Sequence, residues 1–166
     1  MTGVRSGPNT TRVRECSSRT LILGLGNELF GDDGVGCELA RRVHAALRPG
    51  TADVLAGPVS GYDLLDCIAG YERVVLIDAL HDPDGTPGEL RRLDPAQLAN
   101  RADSPSHGVD LPTVLHVGRQ LRAELPADLI VLGVVAHDVH ALREGLSPDL
   151  RDRMEELCEG ILALVR

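Results

Sequence analysis

The stretch Thr20-Leu21-Ile22-Leu23-Gly24-Leu25-Gly26-Asn27-Glu28-Leu29-Phe30-Gly31-Asp32-Asp33-Gly34-Val35-Gly36 decides the fold. Thr20 to Leu25 is a short, nearly continuous apolar run, the pattern of a parallel strand buried on both faces. Beyond the turn, Val35, Leu39, Val43 and Leu47 recur at intervals of four, which predicts one face of a helix over Gly34 to Leu47. Pro49-Gly50 ends that helix. The glycines between strand and helix permit a tight turn and leave a space above the strand end. Into that space the sequence puts adjacent carboxylates, Asp32 and Asp33, where a nucleotide-binding loop would carry a lysine. The choice points to a cation, or to acid chemistry.

Outward from this unit the alternation continues. Ala52 to Leu55 reads as a second strand and Tyr62 to Ala69 as a short helix. Arg73 to Ala79 is β-branched and apolar, a third strand ending near Asp78. Asp82 to Gly88 is rich in Pro, Gly and Asp and must turn, and Glu89 to Leu93 fits an edge strand. Ala99 to Asp110 reads as a polar loop holding His107. Leu111 to Glu124 is a helix with Pro112 in its first turn, and Asp128 to Val135 is another buried strand. Pro148 to Val165 is the last helix, with Leu150, Met154, Leu157, Ile161 and Leu164 on one face and Ser147 as its N-cap. The expected fold is therefore α/β: a three-layer α/β/α sandwich around a central, mostly parallel five-stranded sheet. It forms one domain over residues 19–166, preceded by a polar, Arg-bearing extension over residues 1–18 that reads as disordered.

Bulk properties narrow the function. The chain has 166 residues, 43% hydrophobic and 25% charged, which suits one soluble domain with a sizeable core. Aromatics are only 2%, so the core rests on Leu, Val, Ile and Ala. All 17 basic residues are arginine, and the net charge is −8. An acidic chain lacks the electrostatic footprint of a nucleic-acid binder. The absence of lysine removes Schiff-base chemistry. Cys16, Cys37, Cys67 and Cys158 form no C-x-x-C pair. Scattered cysteines and no apolar leader segment fit the cytoplasm, and no apolar run is long enough to cross a bilayer.

In open α/β sheets, ligands bind beyond the carboxyl ends of the strands. Asp33 after the first strand, Asp78 at the third and His107 before a helix would supply two carboxylates and an imidazole there. Such a mixed O/N set suits a borderline divalent ion such as Ni²⁺ or Zn²⁺. Each residue also has a plainer reading. Asp33 fits a helix cap, Asp78 a bond to nearby backbone amides, and His107 a solvated loop residue. His137-Asp138-Val139-His140 is a second patch with metal-ligand residue types, or a surface loop. Gly24-x-Gly26 is half a dinucleotide fingerprint, with Leu29 at the third glycine position. Asp32 and Asp33 would repel a pyrophosphate there. Ser60, Ser104 and Ser106 lack a G-x-S-x-G elbow. Cys37 lies near a helix start but reads as a small buried hydrophobe.

Taken together, Leu21 to Asn27 with Gly31 to Gly36, Val75-Leu76-Ile77-Asp78-Ala79, and Ser106 to Leu115 resemble the signature of the [NiFe]-hydrogenase maturation proteases. Gly133-Val134-Val135 and Gly145-Leu146-Ser147-Pro148 fit the same pattern, so the resemblance covers roughly residues 19–166. It implies an endopeptidase, of aspartic or metal-assisted type, that removes a C-terminal extension from the hydrogenase large-subunit precursor after nickel insertion. By motif position it assigns the metal contacts to Asp33, Asp78 and His107. It implies nickel presented by the substrate, or another divalent ion in the isolated protein. Asp33 and Asp78 would then be catalytic, with Asp32 as a supporting acid or general base. One departure stands out: where many relatives carry Asp-Gly-Gly-Thr-x-Gly, this chain has Ala56-Gly57-Pro58-Val59-Ser60-Gly61. The competing expectation is a non-catalytic metal-binding or assembly protein on the same scaffold.

Overall fold

The computed structural model describes residues 19–96 and 110–165. The expectations for residues 1–18 and for the loop bearing Ser104, Ser106 and His107 lie outside the described residues.

Five strands form one sheet: β1 (Thr20–Leu25), β2 (Asp53–Gly57), β3 (Arg73–His81), β4 (Leu90–Leu93) and β5 (Asp128–Ala136), in the order β2-β1-β3-β5-β4. Every pairing is parallel except that of β4, which runs antiparallel on the edge of β5. The helices are α1 (Val35–Ala46), α2 (Asp63–Ile68), α3 (Leu111–Gln120) and α4 (Pro148–Val165). Strand alternation splits the core in two. Ile22, Val75, Ile77, Ile130, Leu132 and Val134 pack with the buried faces of α1 and α4. Leu21, Leu23, Val74, Leu76 and Val131 pack with α2 and α3. Helices therefore cover both sheet faces, and the α/β/α sandwich read from the sequence is the fold that forms.

Boundaries differ where a neighbour overrides local pattern. β3 does not stop at Asp78 but runs on to His81, because β5 continues beside it and pairs Asp78 with Gly133 and His81 with Ala136. β2 reaches Gly57 because β1 offers a partner as far as Leu25. α3 ends at Gln120, short of the expected Glu124, and Arg122 takes a left-handed conformation just beyond it (φ 55°). Its start is fixed by Asp110, whose carboxylate accepts the Thr113 amide at 2.8 Å, a cap of ordinary strength. Ser147 caps α4 as expected, its Oγ accepting from Leu150 N at 3.4 Å.

Gly31 to Gly34 forms a single 3-10 turn that leads into α1. The helix then starts almost in contact with the sheet. At Gly36 a Cβ would collide with the carbonyl oxygens of Leu25 and Ile77. Only glycine lets the first turn of α1 sit against the end of β1 and the middle of β3, and that seat carries the preceding Asp32-Asp33 pair to the rim of the sheet. Both obstructions are backbone atoms, so relaxation is costly. Gly36→Ala is expected to destabilise the protein by about 3 kcal/mol, the upper end for overpacking, read as a lowered urea midpoint at unchanged slope.

Candidate active site at the carboxyl rim of the sheet

Asp33 is positioned by the turn it belongs to. Its Oδ2 accepts the Asn27 amide at 2.7 Å, and its own amide donates to the Phe30 carbonyl at 3.1 Å. Gly26 sits in a left-handed conformation (φ 129°), and a Cβ there would collide with the Asp33 carbonyl. The carbonyl of the same Gly26–Asn27 peptide faces Cys37 Sγ at 3.4 Å. One peptide unit is thus held from both ends, by a thiol at its oxygen and by Asp33 at its N–H. The Cys37 thiol is pushed up to about 11, first by burial and then by the Glu28 charge. It serves as a buried donor and is poorly suited to attack. The half fingerprint around Gly24 and Gly26 is also explained. The Asn27 amide already has the Asp33 carboxylate as its acceptor.

Asp78 projects from β3 opposite Gly133 of β5. By alternation it shares a face with Val74 and Leu76, toward α2 and α3. Its Oδ1 accepts the Ala79 amide at 2.9 Å. Burial pushes its carboxyl up to about 7, the Asp33 charge adds to the rise, and the Ala79 amide partly offsets both. Two carboxylates from remote parts of the chain therefore feel each other at one end of the sheet.

Asp32 faces the other way. It is 2% exposed, and its Oδ1 accepts the Ser147 amide at 2.6 Å. Arg143 Nη2 stands 3.7 Å from the same oxygen and pairs with Asp138 at 2.8 Å. The Asp32 amide donates to the Asp138 carbonyl at 3.0 Å, and the Gly31 amide to the Arg143 carbonyl at 2.8 Å. These contacts join the 3-10 turn to the loop between β5 and α4. Asp32 is thereby occupied in holding two loops together.

The expected His137–His140 patch is divided. His137 Nε2 bonds the Gly85 carbonyl at 3.0 Å, Asp138 is paired with Arg143, and His140 lies against His81. Among the described residues, no three His, Cys, Asp or Glu side chains are grouped to hold a metal ion. Asp33 and Asp78 would need a further donor, and the residue expected for that role, His107, lies outside the described residues. Sequence reasoning missed His81 and the latch at Asp32; the one hint for Asp32 was a carboxylate doubled where a single cap would suffice. Ala56 pairs with Gly24 in the sheet, and Val59 packs against the α2/α3 core. Those two substitutions thus place apolar groups beside β1.

The raised carboxyl of Asp78 makes stability depend on pH. An unfolded chain releases this proton near 3.8, whereas the folded chain holds it to about 7. The native state binds more protons across that window, so this group's contribution falls as pH rises from about 4 to about 7. Asp78→Asn removes that loss. The variant is expected to match the parent in Tm near pH 4 and to exceed it by several degrees at pH 8; a pH-independent difference would contradict the assignment.

Comparison with known proteins follows the same lines. The family model described as hydrogenase maturation protease matches residues 35–164. The hydrogenase 2 maturation protease of Escherichia coli is 29% identical over 153 residues, covering 89% of this chain and 91% of that protein. The hydrogenase 3 maturation protease of the same species is 26% identical, covering 85% and 87%. Among solved structures, the E. coli hydrogenase maturating endopeptidase HybD superposes with a TM-score of 0.71 at 27% identity, covering 89% of this chain and 92% of that one. HycI of Thermococcus kodakarensis, a [NiFe] hydrogenase maturation protease, gives 0.64 at 28% identity over 89% and 92%.

Proposed function

Because the chain belongs to the hydrogenase maturation protease family, and is a peptidase by that membership, we propose that it removes the C-terminal extension of a [NiFe]-hydrogenase large-subunit precursor after nickel insertion. The reading places the reaction in the cytoplasm. Among the described residues, no helix is long and apolar enough to cross a membrane. Membership in a family of proteases also disfavours the alternative of a non-catalytic assembly protein.

The observation that carries the reading is the coupling of Asp33 to Asp78, residues separated by most of the first half of the chain. Two carboxylates held near each other repel unless a proton or a cation lies between them. Nickel already seated in the precursor would relieve that repulsion on docking. Asp33 and Asp78 would grip it, with His107 completing the mixed O/N set expected of a borderline ion. A precursor without nickel would bring no positive charge to the pair and would bind poorly. Recognition and timing would then share one cause.

For the cut itself, the pair supplies acid and base. An ionised carboxylate of the pair can take the proton of an attacking water. A cation gripped by both carboxylates displaces the proton that Asp78 otherwise holds, so the departing amine would receive its proton from the carboxyl that has just drawn one from water. The amide C–N bond breaks as the water oxygen bonds the carbonyl carbon, and the two proton transfers balance. Asp32 enters this scheme as a positioning residue, since its carboxylate is engaged with Ser147. The bound nickel would lower the barrier further by polarising the carbonyl.

Asp33→Asn tests the reading. With a nickel-loaded precursor, cleavage followed by mass spectrometry is expected to slow by about a hundredfold or more, while the parent protein cuts. Parental rates in the variant would remove Asp33 from the mechanism.

A further inference from the structure

At the same rim, away from the two carboxylates, the rings of His81 and His140 meet with centroids 5.6 Å apart and planes inclined at 65°. His81 is the last residue of β3, three beyond Asp78 and on the opposite face of the strand by alternation. His140 comes from the loop between β5 and α4. We propose that His81 and His140 form a two-pronged site for a borderline divalent cation, separate from the Asp33–Asp78 pair.

Geometry supports this first. With a metal–nitrogen bond of about 2.1 Å, a ring centre stands about 3.2 Å from the ion, so the observed 5.6 Å corresponds to a ligand angle of about 120°. That angle lies within the range such ions accept, and the ring separation therefore suits one shared ion once a nitrogen of each ring turns toward it.

Rigidity is the second argument. The loop carrying His140 is pinned to the 3-10 turn by Gly31 N to Arg143 O, Asp32 N to Asp138 O and Ser147 N to the Asp32 carboxylate. His81 is fixed by the β3–β5 ladder, where it pairs with Ala136. An ion would find both backbones already in place, leaving the side-chain torsions as the freedom to remove.

Chemistry is the third. Imidazole suits Zn²⁺, Cu²⁺ and Ni²⁺ and is a poor ligand for Mg²⁺ or Ca²⁺. The other candidates nearby are engaged, His137 with Gly85 and Asp138 with Arg143. Among the described residues the site therefore has two protein donors, and its open positions would take water or a donor from an incoming protein.

Long-range ¹H–¹⁵N spectra of the full chain, titrated with Zn²⁺ and then Ni²⁺, test the proposal. The ring signals of His81 and His140 are expected to respond together and to saturate at a common concentration. Replacing either ring, as His81→Ala or His140→Ala, is expected to weaken that event at least about tenfold and to abolish the response of the remaining ring. His81→Gln and His140→Gln serve as second variants, with circular dichroism confirming the fold. Asp33→Asn is expected to leave the event unchanged, which separates it from the nickel-recognising pair. Responses at differing concentrations, or a His140 response of unchanged affinity in His81→Ala, would overturn the proposal and reduce the pair to an edge contact between rings. Either result leaves the proposed proteolysis to stand or fall on Asp33.

Discussion

Everything at the rim depends on how closely α1 approaches the sheet. Gly36 lies against the carbonyl oxygens of Leu25 and Ile77, and Gly26 against the carbonyl of Asp33. No side chain fits at either place. The close seat brings Asp33, in the turn before the helix, toward the stretch of β3 where Asp78 follows Ile77. A helix standing off by the width of a methyl group would carry Asp33 away from Asp78. The placing of the two acids thus depends on positions where no side chain fits.

The two neighbouring aspartates have opposite duties. Asp33 faces the rim, with its Oδ2 against the Asn27 amide, and its charge reaches Asp78. Asp32 turns inward, and its buried carboxylate joins the turn to the start of α4 through Ser147. A buried acceptor of this kind is expensive to leave unsatisfied, so the latch is firm. It also holds Arg143 and Asp138, and with them the loop that bears His140, against the 3-10 turn. The repulsion between Asp33 and Asp78 works against ionising both at once. A cation arriving with a partner would relieve it, which links binding to the charge state of what is bound.

Much of this was legible in the chain. Near-continuous apolar runs such as Leu21-Ile22-Leu23 and Val74 to Ile77 announce a parallel sheet, and the glycine-rich turn after β1 announces a tight strand–helix junction. The membership of Leu90 to Leu93 at the edge was readable from its shortness and its arginines. Other features were not, because they belong to pairings. β3 extends past Asp78 only because β5 is beside it. Asp32 reads as a helix-start acid until Ser147, 115 residues away, is seen to bond it. His81 and His140 have no shared motif; a strand end and a loop bring them together. The family resemblance singled out Asp33 and Asp78 as metal contacts, while the different bonding of Asp32 and Asp33 required coordinates.

Asp33 and Asp78 share one electrostatic environment. The most direct measurement is the titration of the Asp78 side-chain carboxyl by ¹³C NMR, in the parent protein and in Asp33→Asn. A midpoint of about 7 is expected in the parent, and a lower midpoint once the neighbouring charge is removed. A midpoint in the ordinary aspartate range, or one that Asp33→Asn leaves unmoved, would contradict the shared environment.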